Sequence, residues 1–239
     1  MDRKQAGLLA LLFLAGLVIL SGPAHAQGTA PPPDVSEYII FVIDTSGSMF
    51  NYAWPTVLKK VEETLNLYPK AQGFQVLNDE GTYMFKGERG KWLTDTPGQR
   101  RMAVERLRTW NAFSNSNPIE GIVEAIRTYH DTGKKISLYV FGDEFTGPSI
   151  DSVVKGVDII NRADETGERR VRIHAIGFPV RPDAPQYTSI RFATLMRILC
   201  QRNGGTFVGL QEPERGRSRF TIGALQKPAD PAQPRSSPI

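Results

Sequence analysis

The 239-residue sequence predicts an α/β fold: a Rossmann-like, doubly wound, mostly parallel six-stranded sheet with one antiparallel edge strand and helices on both faces. Three observations predict it. Strand-like apolar runs alternate with helical periodicity across residues 36–226. The first run, Tyr38–Ile43, is apolar throughout, as expected of a strand covered on both faces. A turn-bounded pair of short runs, 74–77 and 82–85, reads as a hairpin, so one strand runs against the others.

After the opening strand, a helix is expected over Trp54–Tyr68. Pro55 suits its first turn, and Val57, Val61, Leu65 and Tyr68 share a face. The runs Phe74–Leu77 and Thr82–Phe85 flank the turn Asp79-Glu80-Gly81 and form the hairpin. Arg100–Trp110 is a weaker helix. Ile119–Tyr129 is a stronger one, with Ile119, Ile122, Val123 and Ile126 on its apolar face. A strand at Ile136–Phe141, a helix at Ser152–Arg162 and a strand at Val171–Phe178 follow. The helix Ser189–Arg202 is closed by Gly204-Gly205, and Thr206–Leu210 is the last strand. Helices between successive strands make the sheet mostly parallel.

The flanks have a different character. Arg3 and Lys4, an apolar run over 6–20 and the small residues of Ala24-His25-Ala26 predict a signal peptide over 1–26, cut near Ala26/Gln27. The run is short for a membrane span, which disfavours the alternative of an uncleaved anchor, and no second long apolar run follows. Residues 27–35, with Pro31-Pro32-Pro33, read as a stiff linker, and residues 227–239, with four prolines, as a disordered tail. The expected destination is the periplasm or the exterior. Cys200 is the single cysteine, so no internal disulfide is available, and its apolar setting suggests a small buried side chain. The formal charge of +4 is too mild to argue for nucleic acid or a membrane surface as partner. The clusters Arg169-Arg170-Arg172 and Arg215-Arg217-Arg219 read as solvated faces.

The chemistry concentrates in Phe41-Val-Ile-Asp-Thr-Ser-Gly-Ser-Met49. In a doubly wound sheet, ligands gather at the carboxyl ends of the central strands, where the chain order reverses. Asp44, Ser46 and Ser48 follow the most apolar strand and offer only oxygen donors, which suits a hard divalent cation. Gly47 is expected to allow a tight turn that brings the hydroxyls inward. Asp143, after Ile136–Phe141, and Asn117, ahead of the strong helix, lie at the same edge of the sheet. Asn117 also suits a helix cap, with Glu120 completing a capping pattern.

These residues resemble the von Willebrand factor A domain, of the secreted bacterial type. Its metal-ion-dependent adhesion site combines an Asp-x-Ser-x-Ser loop, a Thr from a second loop and an Asp from a third. Asp44-Thr-Ser-Gly-Ser48 matches the first element, including the Gly-Ser-Met ending common in bacterial members. Asn117 stands where the family has Thr, with Ser116 as a nearby substitute. Asp143 stands in the third place, behind a Gly142 where the family often has Thr. The resemblance implies Mg2+ (or Mn2+ or Ca2+) held by Asp44, Ser46, Ser48, Asn117 and Asp143. It implies a partner protein supplying a Glu or Asp carboxylate, and binding rather than catalysis. Phe50, Tyr52, Trp54, Trp110, Phe113 and Phe145 adjoin this site in sequence and are candidates for a partner-binding rim. Two alternatives stand beside this reading. One is the same fold with a degenerate, metal-free site. The other is a metal-dependent phosphotransfer enzyme opening on a strand-end aspartate, although Ser46 occupies the place where the haloacid dehalogenase family has a second Asp. No Gly-x-Ser-x-Gly elbow surrounds a serine, and neither His130 nor His174 is placed by sequence beside Ser46 or Ser48.

Overall fold

The structure is a computed structural model that describes residues 38–130, 134–162, 169–181 and 186–211; the expected signal peptide, linker and tail lie outside them. Eleven regular elements position the site. They are β1 (Tyr38–Ile43), α1 (Trp54–Leu67), β2 (Gly73–Asn78), β3 (Leu93–Thr94), α2 (Pro97–Arg108), α3 (Ile119–Tyr129), β4 (Ile136–Gly142), α4 (Ile150–Ile160), β5 (Arg172–Gly177), α5 (Tyr187–Arg202) and β6 (Phe207–Gly209). A wide π-type turn, Met49–Ala53, leads into α1.

The sheet order is β3-β2-β1-β4-β5-β6. Five strands are parallel, and β3 runs antiparallel to β2 at the edge. From β1 the chain adds strands outward in one direction, then returns to add β4, β5 and β6 on the other side. The order therefore reverses between β1 and β4, and Ile43 lies opposite both Asn78 of β2 and Phe141 of β4.

Alternation along each strand feeds two cores. Ile40 and Val42 of β1 join Leu138 and Val140 of β4 beneath α3, α4 and α5. Ile39, Phe41 and Ile43 join Tyr139 and Phe141 beneath α1 and α2. Burying one such side chain contributes about 1.5–3 kcal/mol, so the doubly covered β1 is a rigid support for whatever follows it. Helix starts follow local chemistry. Thr96 caps α2 by accepting from the Gln99 N–H at 3.1 Å, and Ser149 caps α4 by accepting from Ser152 at 3.2 Å. The helices thus begin three and two residues earlier than periodicity alone suggests.

One element differs from expectation. The edge strand is Leu93–Thr94, not Thr82–Phe85. The Asp79-Glu80-Gly81 turn does fold the chain back, with Gly81 at φ +80°, but the ladder stops after a single Leu77–Tyr83 bridge. The chain then turns through Lys86–Glu88. The buried Gln75 amide fixes this detour by donating to the carbonyls of Glu88 at 3.1 Å and Lys91 at 3.0 Å.

Candidate metal centre

Asp44 extends β1 by one residue, its N–H donating to the Phe141 carbonyl at 2.8 Å. That bond holds the buried carboxylate at the β1–β4 switch point. A side chain at Gly142 would come within 3.4 Å of the Asp44 Cβ, which measures how closely the two strand ends approach. Asp44 Oδ1 accepts from the Ser46 N–H at 2.8 Å, an Asx-type turn that curls the loop back. The Ser46 and Ser48 hydroxyls then lie 3.1 Å apart. Ser48 in turn hydrogen-bonds Asp143, so Asp44, Ser46, Ser48 and Asp143 form one continuous side of the site.

The other side comes from the loop between α2 and α3. Ser114 accepts from the Thr45 N–H at 3.2 Å and donates to Asp44 Oδ1 at 3.4 Å. Asn117 follows, its N–H donating to Asp79 Oδ2 at 3.1 Å. Thr146 N–H donates to the Ser116 carbonyl at 3.1 Å, which ties this loop to the one after β4. The Cβ of any residue at position 147 would fall 2.9 Å from Asn117 Oδ1, so Gly147 leaves room for the amide. Helix α3 is seated by an equally close approach. A Cβ at Gly121 would meet the Asn78 carbonyl at 2.6 Å and Val42 Cγ1 at 2.7 Å.

Three site oxygens, Asp44 Oδ2, Asn117 Oδ1 and Asp143 Oδ1, are buried without a hydrogen-bond partner. A buried polar atom left unsatisfied costs about 1–3 kcal/mol, and these three come from three separate loops, after β1, before α3 and after β4. The electrostatics agree. Burial, reinforced by the charges of Asp79 and Asp143, pushes the Asp44 carboxyl well above its ordinary range. Burial likewise raises Asp143 to about 6, aided by Glu144 and opposed by the Ser48 hydrogen bond. Asp79 is raised by burial and held back by bonds from Ser114, Asn117 and Thr45. Buried carboxylates raised by desolvation and by one another are ones whose charged form a nearby positive charge would favour. The donor set fits a hard divalent cation. Among the described residues, no group of three or more His, Cys, Asp or Glu side chains is placed to hold a metal ion, so the candidate set depends on serine and asparagine oxygens beside its carboxylates.

The structure thus brings Asp44, Ser46, Ser48, Asn117 and Asp143 to one edge of the sheet. It alters the expected rim. Trp54 and Phe145 are buried in the two cores. The Trp54 indole donates to the Leu107 carbonyl at 3.2 Å, and Phe145 lies 4.7 Å beneath the Arg191 guanidinium. Both therefore support the site from below and cannot touch a partner directly. Phe50 is half-buried against Trp54, Tyr52 and Trp110 are half-buried, and Phe113 is 72% exposed beside Ser114. Gly47 does not have the role expected of it: it is exposed, its φ is not positive, and a Cβ there would meet only Asn51 at 3.9 Å. Asp44 makes the turn instead.

Sequence reasoning missed Asp79 and Ser114. Asp79 directly follows β2, the neighbour of β1, and the strand-end rule applied to β2 would have singled it out. Ser114 carries no such signal, because its place depends on how an irregular loop folds. Neither histidine supplies a base: His130 closes α3, and His174 stacks on Tyr139 at 4.8 Å while accepting from the Thr206 N–H.

No protein-family model matches the chain, and neither does any curated protein. Solved structures do. A von Willebrand factor type A protein from Catenulispora acidiphila aligns with TM-score 0.54 at 12% identity, covering 74% of this chain and 39% of that one. The chain therefore spans about two fifths of that neighbour's length. The pilus adhesin SpaC from Lactobacillus rhamnosus GG aligns at TM-score 0.47 and 12% identity (77% of this chain, 29% of that one), and proximal thread matrix protein 1 from the mussel byssus at 0.49 and 12% (73% and 44%). With the sheet order, the first of these gives the chain the α/β fold of von Willebrand factor A domains.

Proposed function

We propose that the protein is a divalent-cation-dependent binding module that captures an acidic side chain of a partner protein, without catalysing a reaction on it. The observation that carries this reading is the trio of partnerless buried oxygens, Asp44 Oδ2, Asn117 Oδ1 and Asp143 Oδ1. Asp44, Ser46, Ser48, Asn117 and Asp143 would hold Mg2+, or Mn2+ or Ca2+, through oxygen alone. When bound, the ion offers a coordination position to an anionic oxygen of the partner. The chain's own part is to hold that position open. The β1–β4 ladder fixes Asp44, and the serine pair directs its hydroxyls along one side. Two carboxylates among neutral donors match a divalent charge, leaving the ion attractive to a further Glu or Asp. Exposed Phe113, with Phe50 and Tyr52, offers apolar contact beside it.

Among the described residues, no helix is long and apolar enough to cross a membrane. A periplasmic or secreted location after loss of residues 1–26 is part of the same proposal, and nucleic acid is not among the proposed partners. Calorimetric titration with Mg2+ and Mn2+ tests the reading. Wild type is expected to bind one ion and Asp44→Ala none, and pull-downs from the cell envelope are expected to lose their partner in chelator. Absence of binding by wild type, or unchanged binding by Asp44→Ala, refutes it.

A further inference from the structure

An aspartate in a turn ordinarily faces solvent or caps its own backbone. Asp79 does neither. It is fully buried, and its carboxylate reaches into two other loops. Oδ1 accepts from the Thr45 N–H at 3.3 Å and Oδ2 from the Asn117 N–H at 3.1 Å, while the Ser114 hydroxyl bonds it as well. Each donor bears on the candidate site: Thr45 stands between Asp44 and Ser46, Asn117 is itself a proposed ligand, and Ser114 also reaches Asp44 Oδ1. The Asp79 backbone is pinned too. Its N–H donates to the Ile43 carbonyl at 3.1 Å, and its carbonyl accepts from the Gly121 N–H at 2.7 Å, which ties it to β1 and to the first turn of α3.

We infer that Asp79 is a positioning residue for the cation site, a claim that rests on the metal-binding reading above. It does not ligate. Both of its oxygens are engaged by donors, whereas Asp44, Asn117 and Asp143 each keep one buried oxygen without a partner. That contrast separates the carboxylate that sets the geometry from the groups that face the ion. By accepting one N–H from the loop after β1 and one from the loop before α3, Asp79 fixes the spacing at which Asp44 and Asn117 present their oxygens.

Asp79→Asn tests this directly. The amide keeps the shape but can accept at only one end, so either the Thr45 or the Asn117 N–H faces another donor. Groups that orient metal ligands typically cost about 10–100-fold in affinity when removed, and that loss is expected for Mn2+, together with a broadened spectrum of bound Mn2+ in electron paramagnetic resonance. Ser114→Ala, which removes the hydroxyl's bonds to Thr45, Asp44 and Asp79 and leaves both carboxylates, is expected to lose about 3–10-fold by the same reasoning and carries the test if Asp79→Asn does not fold. Asn203→Ala is the control: it breaks a buried bond to Asn161 of 2.8 Å away from the site and should lower stability with Mn2+ affinity unchanged. Wild-type Mn2+ affinity in Asp79→Asn, or losses in all three variants that simply track lost stability, overturn the inference. If wild type binds Mn2+ and Asp44→Ala does not while Asp79→Asn equals wild type, the positioning role fails and the metal site stands. If wild type binds no Mn2+, both fail together.

Discussion

Replacing Asp143 by Asn removes one buried charge and almost no volume, so it isolates the electrostatic cost of burying that charge. Burial raises the Asp143 carboxyl from the ordinary 3.8 to about 6. The unfolded chain therefore gives up this proton more readily than the folded one, and at neutral pH ionisation works against folding. A shift of about two units corresponds to roughly 3 kcal/mol at most, at 1.36 kcal/mol per unit. The sign follows: wild type without metal gains stability from this group as pH falls from about 6 toward 4. Asp143→Asn has that stability at every pH, so its advantage is full above pH 6 and gone below about 4. Divalent metal removes most of that advantage. Wild type gains about 2.7 kcal/mol at a hundredfold excess over Kd, and the variant, having lost a ligand, gains little. Urea melts in chelator and in Mg2+ at pH 8, 6 and 4 measure all of this. A variant less stable than wild type in chelator at pH 8, or one stabilised equally by Mg2+, refutes the reasoning.

Other outcomes follow from single contacts. Gly121→Ala places a methyl against the Asn78 carbonyl at 2.6 Å and is expected to cost roughly 1–3 kcal/mol in urea melts, since backbone cannot yield as a flexible side chain does. Trp54→Ala should cost about 3–5 kcal/mol. Phe113→Ala should change stability by less than about 0.5 kcal/mol and instead weaken partner capture in pull-downs. His174, lowered to about 4 by burial and by Arg172, is expected to stay neutral in imidazole NMR titrations down to that pH. Because the unfolded chain takes this proton at higher pH, His174 removes stability as pH falls below about 6.5, opposing Asp143 in the same window. A His174 resonance titrating near 6.5 in the folded protein contradicts its burial.

The fold was legible where burial dictates residue type. The apolar run of β1 and the spaced apolar residues of α1 and α3 leave few alternatives, and the Asp-x-Ser-x-Ser loop is compact enough for five residues to declare it. What could not be read depends on partners distant in sequence. The edge strand moved to Leu93–Thr94 because Gln75, an unremarkable polar residue within β2, holds the chain leaving Lys86–Glu88. Trp54 and Phe145 look the same in sequence as Phe113, an aromatic near the site. Only the packing of α1 on α2, and of Arg191 over the loop after β4, decides which are buried. Asp79 passed for an ordinary turn residue because its three donors lie 34 or more positions away.

That last case bears on why such a site sits on such a fold. Holding Asp44, Asp79 and Asp143 together in the absence of a cation is unfavourable, since each is raised by burial and Asp44 also by the other two. A flexible arrangement would relieve the strain by moving the carboxylates apart into water. Here they cannot move: Asp44 is clamped to the β4 ladder, Asp79 to Ile43 and Gly121, and Ser48 hydrogen-bonds Asp143. The two cores on either side of β1 offset the repulsion, and the repulsion is what a divalent ion would relieve on binding. On the proposed reading, affinity for the ion and rigidity of the sheet are therefore linked. A substitution that loosens the central strands, such as Phe41→Ala under both Tyr139 and Phe141, should weaken metal binding without touching a single ligand. A fully stable Phe41→Ala variant with wild-type Mn2+ affinity would separate the two and show that the loops hold their geometry without the core.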